Sequence, residues 1–239
     1  MTSTNPANPR PLLLGHRGAR DYAPENTFEA FDLALSHGCD GFEFDVRCTA
    51  DRRLVIWHDA TLKRMRVATA AYDRLCERWE PGRSSGENSL APIACLEDVV
   101  ATYARRAYLD VEIKVPGIEA AVKRAIAAHP PQRGYTVSSF LPEIVQNLRA
   151  ADSALNLGWI VADRRLLPAW RHLNFHVLVA HYTLLSQDLV RAVHDAGRKL
   201  FVWTVNRPKA MLKMADWGVD AIISDDTRLL SDTLRGSNR

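Results

Sequence analysis

No stretch of this sequence comes near the ~18 uninterrupted apolar residues that a membrane-spanning helix needs. The N-terminus, Met-Thr-Ser-Thr-Asn-Pro-Ala-Asn-Pro-Arg, carries no apolar h-region, so no secretory signal is read there and a soluble, cytoplasmic protein is expected. Cysteine is sparse. Cys39, Cys48, Cys76 and Cys95 are scattered, with no Cys-x-x-Cys pair and no His-Cys zinc spacing. That argues against a disulfide scaffold and fits a reducing compartment. Charge of one sign is also lacking: 31 Lys and Arg against 28 Asp and Glu leave a formal net charge of +3. So mild a balance does not announce a nucleic-acid or membrane-surface binder. There is no internal repeat, and no amphipathic anchor that would hold the chain stably on a bilayer.

What is present is enough apolar sequence for a substantial core. Of 239 residues, 47% are hydrophobic and 25% charged, and the length permits one large domain or two small ones. Short apolar runs alternate with longer amphipathic ones throughout. Strands are expected near residues 11–15, 41–46, 54–57, 108–114, 135–138, 155–161, 177–180, 200–205 and 220–224. Helices are expected near 27–36, 96–105, 118–128, 142–150, 164–172, 187–196, 208–216 and 227–234. Pro142 and Pro208 mark helix starts, and Gly38, Gly197 and Gly218 follow helix ends. This alternation predicts an α/β fold with a parallel sheet, and about eight units suit a closed (β/α)8 barrel, the TIM type. The rival, an open doubly wound sheet, lacks its Gly-x-Gly-x-x-Gly turn after the first strand. The expected organisation is a single barrel domain over residues 11–234, with flexible tails at 1–10 and 235–239. Residues 61–92, with Pro81, Gly82, Gly86 and a Ser-Ser-Gly-Glu-Asn-Ser run, break the rhythm and read as an insertion at one rim.

Two strands carry charge where a barrel strand should be apolar. In Phe42-Glu43-Phe44-Asp45-Val46, period-2 alternation puts the apolar side chains on one face and Glu43 and Asp45 on the other. In Asp110-Val111-Glu112-Ile113-Lys114, Val111 and Ile113 oppose Asp110, Glu112 and Lys114. The apolar faces must pack on outer helices, which turns the carboxylates inward, where they repel one another and need a cation. A hard divalent ion on oxygen ligands answers that need. An internal ion-pair network with Arg47 and Lys114 is the alternative. His16 and His58 follow apolar runs at strand ends, on the face where barrel active sites are built, and suit acid–base work. His181 ends a strand and reaches toward the same rim. The turn Gly15-His16-Arg17-Gly18 offers glycines for close approach of a ligand and a guanidinium that matches phosphate oxygens.

The ordered set His16-Arg17-Gly18, Ala23-Pro24-Glu25-Asn26-Thr27, Glu43-x-Asp45, His58-Asp59-x-Thr61-Leu62, Glu112-x-Lys114, Ser138-Ser139-Phe140 and Trp203-Thr204-Val205-Asn206 resembles the glycerophosphodiester phosphodiesterase family. The small bacterial cytoplasmic members are closest in length. The resemblance implies a metal-dependent hydrolase that releases sn-glycerol 3-phosphate and an alcohol from a small glycerophosphodiester. It implies His16 and His58 as the acid–base pair, and Glu43, Asp45 and Glu112 as ligands of one divalent cation, Mg2+ or Ca2+. Arg17 and Lys114 would hold the phosphate, and Trp203 would line the pocket near the glycerol. Residues 61–92 depart from the family pattern, and Ser224-Asp225-Asp226-Thr227 stands where members often have Thr-Asp-x-Pro, with Asp226 able to cap the next helix. Three other readings are kept open: a lysophospholipase D-like specificity, a Schiff-base lyase using Lys114, and a non-catalytic barrel that binds phosphate esters. The pattern also leaves open which histidine is the acid, and whether water or the glycerol 2-hydroxyl attacks first.

Overall fold

The structure, a computed structural model, describes residues 10–79 and 92–236. In chain order the elements are β1 (Leu12–His16), α1 (Phe28–Ser36), β2 (Gly41–Cys48), β3 (Leu54–Ile56), β4 (Thr61–Leu62), β5 (Met65–Arg66), α2 (Tyr72–Cys76) and α3 (Leu96–Tyr103). There follow β6 (Tyr108–Ile113), α4 (Glu119–Ala128), β7 (Tyr135–Ser139), α5 (Pro142–Ala151), β8 (Leu157–Val161), β9 (Val177–His181), α6 (Gln187–Asp195), β10 (Lys199–Trp203), α7 (Pro208–Asp216), β11 (Ala221–Ser224) and α8 (Thr227–Arg235). Eight strands pair in parallel in the order β1-β11-β10-β9-β8-β7-β6-β2, and β2 pairs back onto β1. The ring is closed, as the expected (β/α)8 barrel requires.

The apolar residues divide into two cores because each stave is covered on both faces. Outside the ring, Phe42 stacks on Phe31 of α1 at 4.2 Å and meets the edge of Tyr103 of α3 at 4.9 Å. Inside, Leu14, Tyr108, Ile160, Val177, Val179, Phe201, Ala221 and Ile223 fill the lower barrel. Gly41 sits where β2 and β6 run so close that a Cβ would lie 1.9 Å from the Tyr108 carbonyl oxygen, so only glycine fits.

Two of the sequence expectations change. Residues 54–57 do not form a ninth stave: β3 runs antiparallel to the upper end of β2. Periodicity reports which face a residue takes, not the direction of the strand. The expected helix at 164–172 is only a 3-10 turn, Leu167–Arg171. Pro168 sits inside it, lacks an N–H and obstructs the carbonyl four residues back, so an α-helix cannot run through. Residues 61–79 form a rim unit of the β4–β5 hairpin, a 3-10 turn and α2, with a small core of Val55, Leu62, Val67, Ala70, Leu75 and Ile93. The Pro81, Gly82, Gly86 and Ser-rich run of the expected insertion falls outside the described residues, as do 1–9 and 237–239 of the tails. No described helix is long and apolar enough to cross a membrane.

The barrel floor uses one turn twice. After α1, His37-Gly38-Cys39-Asp40 leads into β2; after α7, Trp217-Gly218-Val219-Asp220 leads into β11. Gly38 and Gly218 take φ of 92° and 82°, the left-handed region that ends a helix at little cost only for glycine. Each aspartate then accepts the N–H of the second residue of a neighbouring stave, Leu13 of β1 and Leu200 of β10, both at 2.8 Å. Asp40 also takes both Arg10 nitrogens at 3.0 Å and Arg235 at 2.8 Å, so it gathers three distant parts of the chain. Burial works to raise its pKa, but the Arg10 hydrogen bond, the Leu13 N–H and Arg235 outweigh it and hold it below the usual carboxylate range. A depressed carboxylate contributes stability above its unfolded pKa and loses it as pH falls through the folded value. Arg10 is mostly exposed, so its share is small and the Leu13 bond carries most of the effect. Asp40→Asn is expected to cost about 1–2 kcal/mol at pH 7, a fall in Tm of roughly 2–8 °C. In melts over a pH series the deficit should close as pH falls below the ordinary carboxylate range; a deficit unchanged by pH would show that charge is not involved.

Candidate active site

Adjacent staves β2 and β6 run in register, Glu43 beside Asp110 and Asp45 beside Glu112. Their shared inward face therefore carries four carboxyl groups in two layers, as the alternation predicts. Exposures are 5% for Glu43, 1% for Asp45, 1% for Asp110 and 7% for Glu112. One oxygen from each of Glu43, Asp45 and Glu112 lies within 4.8 Å of the others. Lys114 Nζ lies 2.6 Å from Glu112 and 3.2 Å from Asp45, and Arg17 Nε lies 3.3 Å from Asp45. Arg47 makes no direct ion pair with these carboxylates among the described residues: its Nε donates to the His58 carbonyl at 2.8 Å, and it acts on Asp45 and Glu112 only by longer-range attraction.

Four buried carboxylates against two cations leave two negative charges uncompensated. The protonation preferences reflect that deficit. Burial, then Asp45, Glu112 and Asp110, push Glu43 well above its ordinary pKa. Burial and Asp45 push Glu112 up to about 7, against the pull of Lys114. Burial pushes Asp110 to about 7 as well, although Ser138 donates to it at 2.7 Å. Asp45 goes the other way, because Lys114, Arg17 and an Asn26 hydrogen bond outweigh its burial. Glu43 Oε1 and Asp110 Oδ2 are buried without a protein partner. Asp45 Oδ1 has no donor in hydrogen-bond geometry, yet Lys114 stands 3.2 Å from it, so it is not isolated. Three oxygen ligands, a partnerless oxygen among them and a deficit of two charges fit a hard divalent cation.

The two histidines reach the same cavity by different routes. His16 ends β1, and its Nδ1 lies 2.6 Å from Asp225 Oδ1. Asn206 donates to the other Asp225 oxygen at 2.6 Å, so the ring is braced from β11 and from the segment after β10. His58 is not at the end of a stave, as the sequence suggested. The antiparallel course of β3 returns the chain to the rim, where Trp57 N–H donates to the Asp45 carbonyl at 2.9 Å. His58 Nδ1 then pairs with Asp59 at 2.7 Å. Burial lowers the His58 pKa, despite Asp45 and Asp59, and so favours the neutral imidazole.

Asp225, Asn26 and Asp110 were not singled out from the sequence as site residues. Asn26 takes a φ of 60° and donates to Asp45 Oδ2 at 2.9 Å. Its motif position was visible, but its partner lies 19 residues away and only the fold joins them. Asp226 caps α8, accepting the Leu229 N–H at 2.9 Å, as expected of that variant turn. The glycines at 15 and 18 serve the protein and not a ligand: a Cβ at either would lie 2.6–2.7 Å from backbone atoms of Ala30 or Gly18.

His16, Arg17, Glu43, His58, Asp110, Glu112 and Lys114 line one side of a cavity of about 100 Å3, and Phe140, Ile160, Val179, Trp203 and Ile223 line the other. Trp203 meets Phe140 edge-on at 5.5 Å and His181 at 5.2 Å, so His181 stands at the rim behind the tryptophan. Arg17 is committed to Glu25 and Asp45, which leaves Nη2 without a partner among the described residues. Burial works against the Lys114 charge, but Glu112 and Asp45 overcome it and hold the pKa above the ordinary lysine value. A lysine so held stays an ammonium, which disfavours Schiff-base chemistry.

The comparisons with known proteins agree with this geometry. The Glycerophosphoryl diester phosphodiesterase family profile matches residues 16–229. The glycerophosphodiester phosphodiesterase of Caldanaerobacter subterraneus subsp. tengcongensis is 30% identical over 238 residues, covering 94% of this chain and 98% of that one. Among solved structures, the glycerophosphodiester phosphodiesterase of Agrobacterium tumefaciens superposes with a TM-score of 0.80 at 25% identity, over 95% of this chain and all of that one. A phosphodiesterase of Oleispira antarctica, solved with the product sn-glycerol-3-phosphate, gives 0.79 at 24% identity, over 95% and 97% of the two chains. With six of the seven expected polar site residues lining one cavity, Asp45 held against them by Lys114 and Arg17, and a family match over most of its length, the chain belongs to the glycerophosphoryl diester phosphodiesterase family.

Proposed function

We propose that this protein hydrolyses glycerophosphodiesters to sn-glycerol 3-phosphate and an alcohol in the cytoplasm, with Mg2+ or Ca2+ on Glu43, Asp45 and Glu112. The observation that carries the reading is the charge deficit of the carboxylate cluster, set beside two imidazoles and two cationic side chains in one cavity. The product bound by the Oleispira antarctica enzyme supports the same substrate class. A divalent cation there would withdraw charge from a phosphoryl oxygen. Lys114, and Arg17 through Nη2, stabilise charge developing on the other phosphoryl oxygens. Asp225 and Asp59 occupy Nδ1 of His16 and His58, so each ring presents Nε2 for proton transfer. One imidazole accepts the proton of the attacking oxygen and the other donates to the leaving oxygen, each worth about 10²–10⁴-fold. Trp203 and Phe140 close the apolar side and exclude water from the reacting centre.

The test is incubation with glycerophosphocholine, glycerophosphoethanolamine and glycerophosphoinositol, with Mg2+ or Ca2+, scored by enzymatic detection of glycerol 3-phosphate. Release that EDTA abolishes and either ion restores is the expected result. No release from any head group with either ion would overturn the reading and favour a binding barrel.

A further inference from the structure

The proposed site chemistry uses Glu43, Asp45 and Glu112 but leaves Asp110 without a task. Asp110 is an unusual residue to find where it is. It lies one pleat below Glu112 on the inward face of β6, toward the N-terminal end of the barrel. Glu43 of β2 stands beside it in register, and the cavity wall facing the two of them is apolar: Ile160 of β8, Val179 of β9 and Ile223 of β11. Beneath them the barrel is packed with Leu14, Tyr108, Val177, Phe201 and Ala221, so the cavity ends at this level. Asp110 lines the cavity; its Oδ1 is satisfied by the Ser138 hydroxyl at 2.7 Å, while Oδ2 is buried and has no hydrogen-bond partner.

An orphaned buried carboxylate oxygen costs free energy unless something in the working protein donates to it. It lies level with Glu43 yet stands outside the three-carboxylate cluster, whose oxygens approach one another within 4.8 Å without it. With Oδ1 already taken by the Ser138 hydroxyl, what Oδ2 lacks is a hydrogen-bond donor. A neutral hydroxyl is the ligand group that supplies one.

We infer that Asp110 Oδ2 accepts a hydrogen bond from the terminal hydroxyl of the glycerol moiety, and so selects glycerol over deoxy three-carbon alcohols on the retained side of the phosphodiester. This rests on the proposed function above. The phosphate is held at the level of Arg17 and Lys114, and two residues of strand carry the chain down roughly 6–7 Å from Glu112 to Asp110. That drop is comparable with the extent of a three-carbon chain bearing oxygen at both ends. The wall of Ile160, Val179 and Ile223 suits the CH faces of a short polyol, whereas an alcohol of any size must leave toward the open mouth. The glycerol half therefore faces the floor.

The experiment compares kcat/KM for glycerophosphocholine with that for the analogue in which the terminal CH2OH is a methyl group, the 2-hydroxyl being kept. Wild type is expected to favour the glycerol substrate by at least about tenfold, because a site built around a buried hydrogen bond rejects a ligand that lacks the donor. Asp110→Leu, close in shape, should bring the ratio to within about threefold of unity through loss on the glycerol substrate alone. Asp110→Asn should keep part of the preference, since its amide donates to the hydroxyl oxygen, and it stands in should the leucine variant not fold. A wild-type ratio near unity overturns the inference outright. So does an unchanged ratio in the variants with both substrates losing equally, which assigns Asp110 a structural role over a buried water. Failure of wild type to cleave either compound is a different result: it removes the phosphodiesterase reading itself.

Discussion

Glu43→Gln is expected to lower turnover by more than about a hundredfold while raising the melting temperature of the metal-stripped protein. On the proposed function, the first effect follows from loss of a ligand to an ion that would contribute several kcal/mol in the transition state. The second follows from the charge deficit: Oε2 of Glu43 accepts the Arg17 N–H at 3.0 Å but Oε1 has no donor, so replacing this buried carboxylate relieves repulsion and a desolvation cost of a few kcal/mol, worth several degrees in Tm. The pH dependence has a definite sign. Glu43, Glu112 and Asp110 all have folded pKa values raised above their unfolded values, to about 7 for the latter two. Between the unfolded values near 4 and the folded ones the native state binds more protons, so stability falls as pH rises through that window. Asp45 is shifted the other way, and its contribution is lost only at more acid pH. Wild type in EDTA should therefore melt lower at pH 8 than at pH 5, and Mg2+ or Ca2+ should restore more stability at pH 8. The glutamine variant should respond weakly to either ion. A wild-type melt indifferent to EDTA and to both ions at pH 8 would remove the cation from this cluster.

His16→Ala and His58→Ala should each lose at least about a hundredfold in kcat while remaining folded, since proton transfer by a positioned imidazole is worth 10²–10⁴-fold. Asp225→Asn tests how His16 is held. The amide preserves the shape of the carboxylate but favours the wrong ring tautomer, so a loss of about ten- to hundredfold in kcat with KM little changed is expected. In the background of His16→Ala the same substitution should cost almost nothing further, because its effect passes through the ring. Steady-state kinetics on the three single variants and the double variant decide it. Full activity in either alanine variant removes that histidine from the reaction, and additive losses in the double variant detach Asp225 from His16.

Much of this arrangement is legible in the sequence because its signals are local. The alternation of Phe42-Glu43-Phe44-Asp45 against the barrel's apolar rule locates the carboxylates without any knowledge of contacts. The resemblance then orders them with His16, His58 and Lys114. What escapes is whatever depends on pairing between distant segments. Asp225 braces His16 across 209 residues, and nothing in Ser-Asp-Asp-Thr distinguishes a brace from a helix start. Asp110 reads as one more inward carboxylate, and only the burial of Oδ2 without a donor sets it apart from Glu112. Leu54-Val55-Ile56 looks like any stave, since the reversal into an antiparallel strand is decided at the turn before it, where Thr49 bonds both the N–H and the carbonyl of Arg53.

That reversal has a consequence for how the family can diversify. One imidazole stands on the closed ring and shares its rigidity with the carboxylates; the other is carried by an arm that folds around a small hydrophobic nucleus of its own. A change confined to the arm would therefore re-aim the His58 imidazole and reshape the rim beside it, while the ring that carries His16 and the carboxylates keeps its geometry.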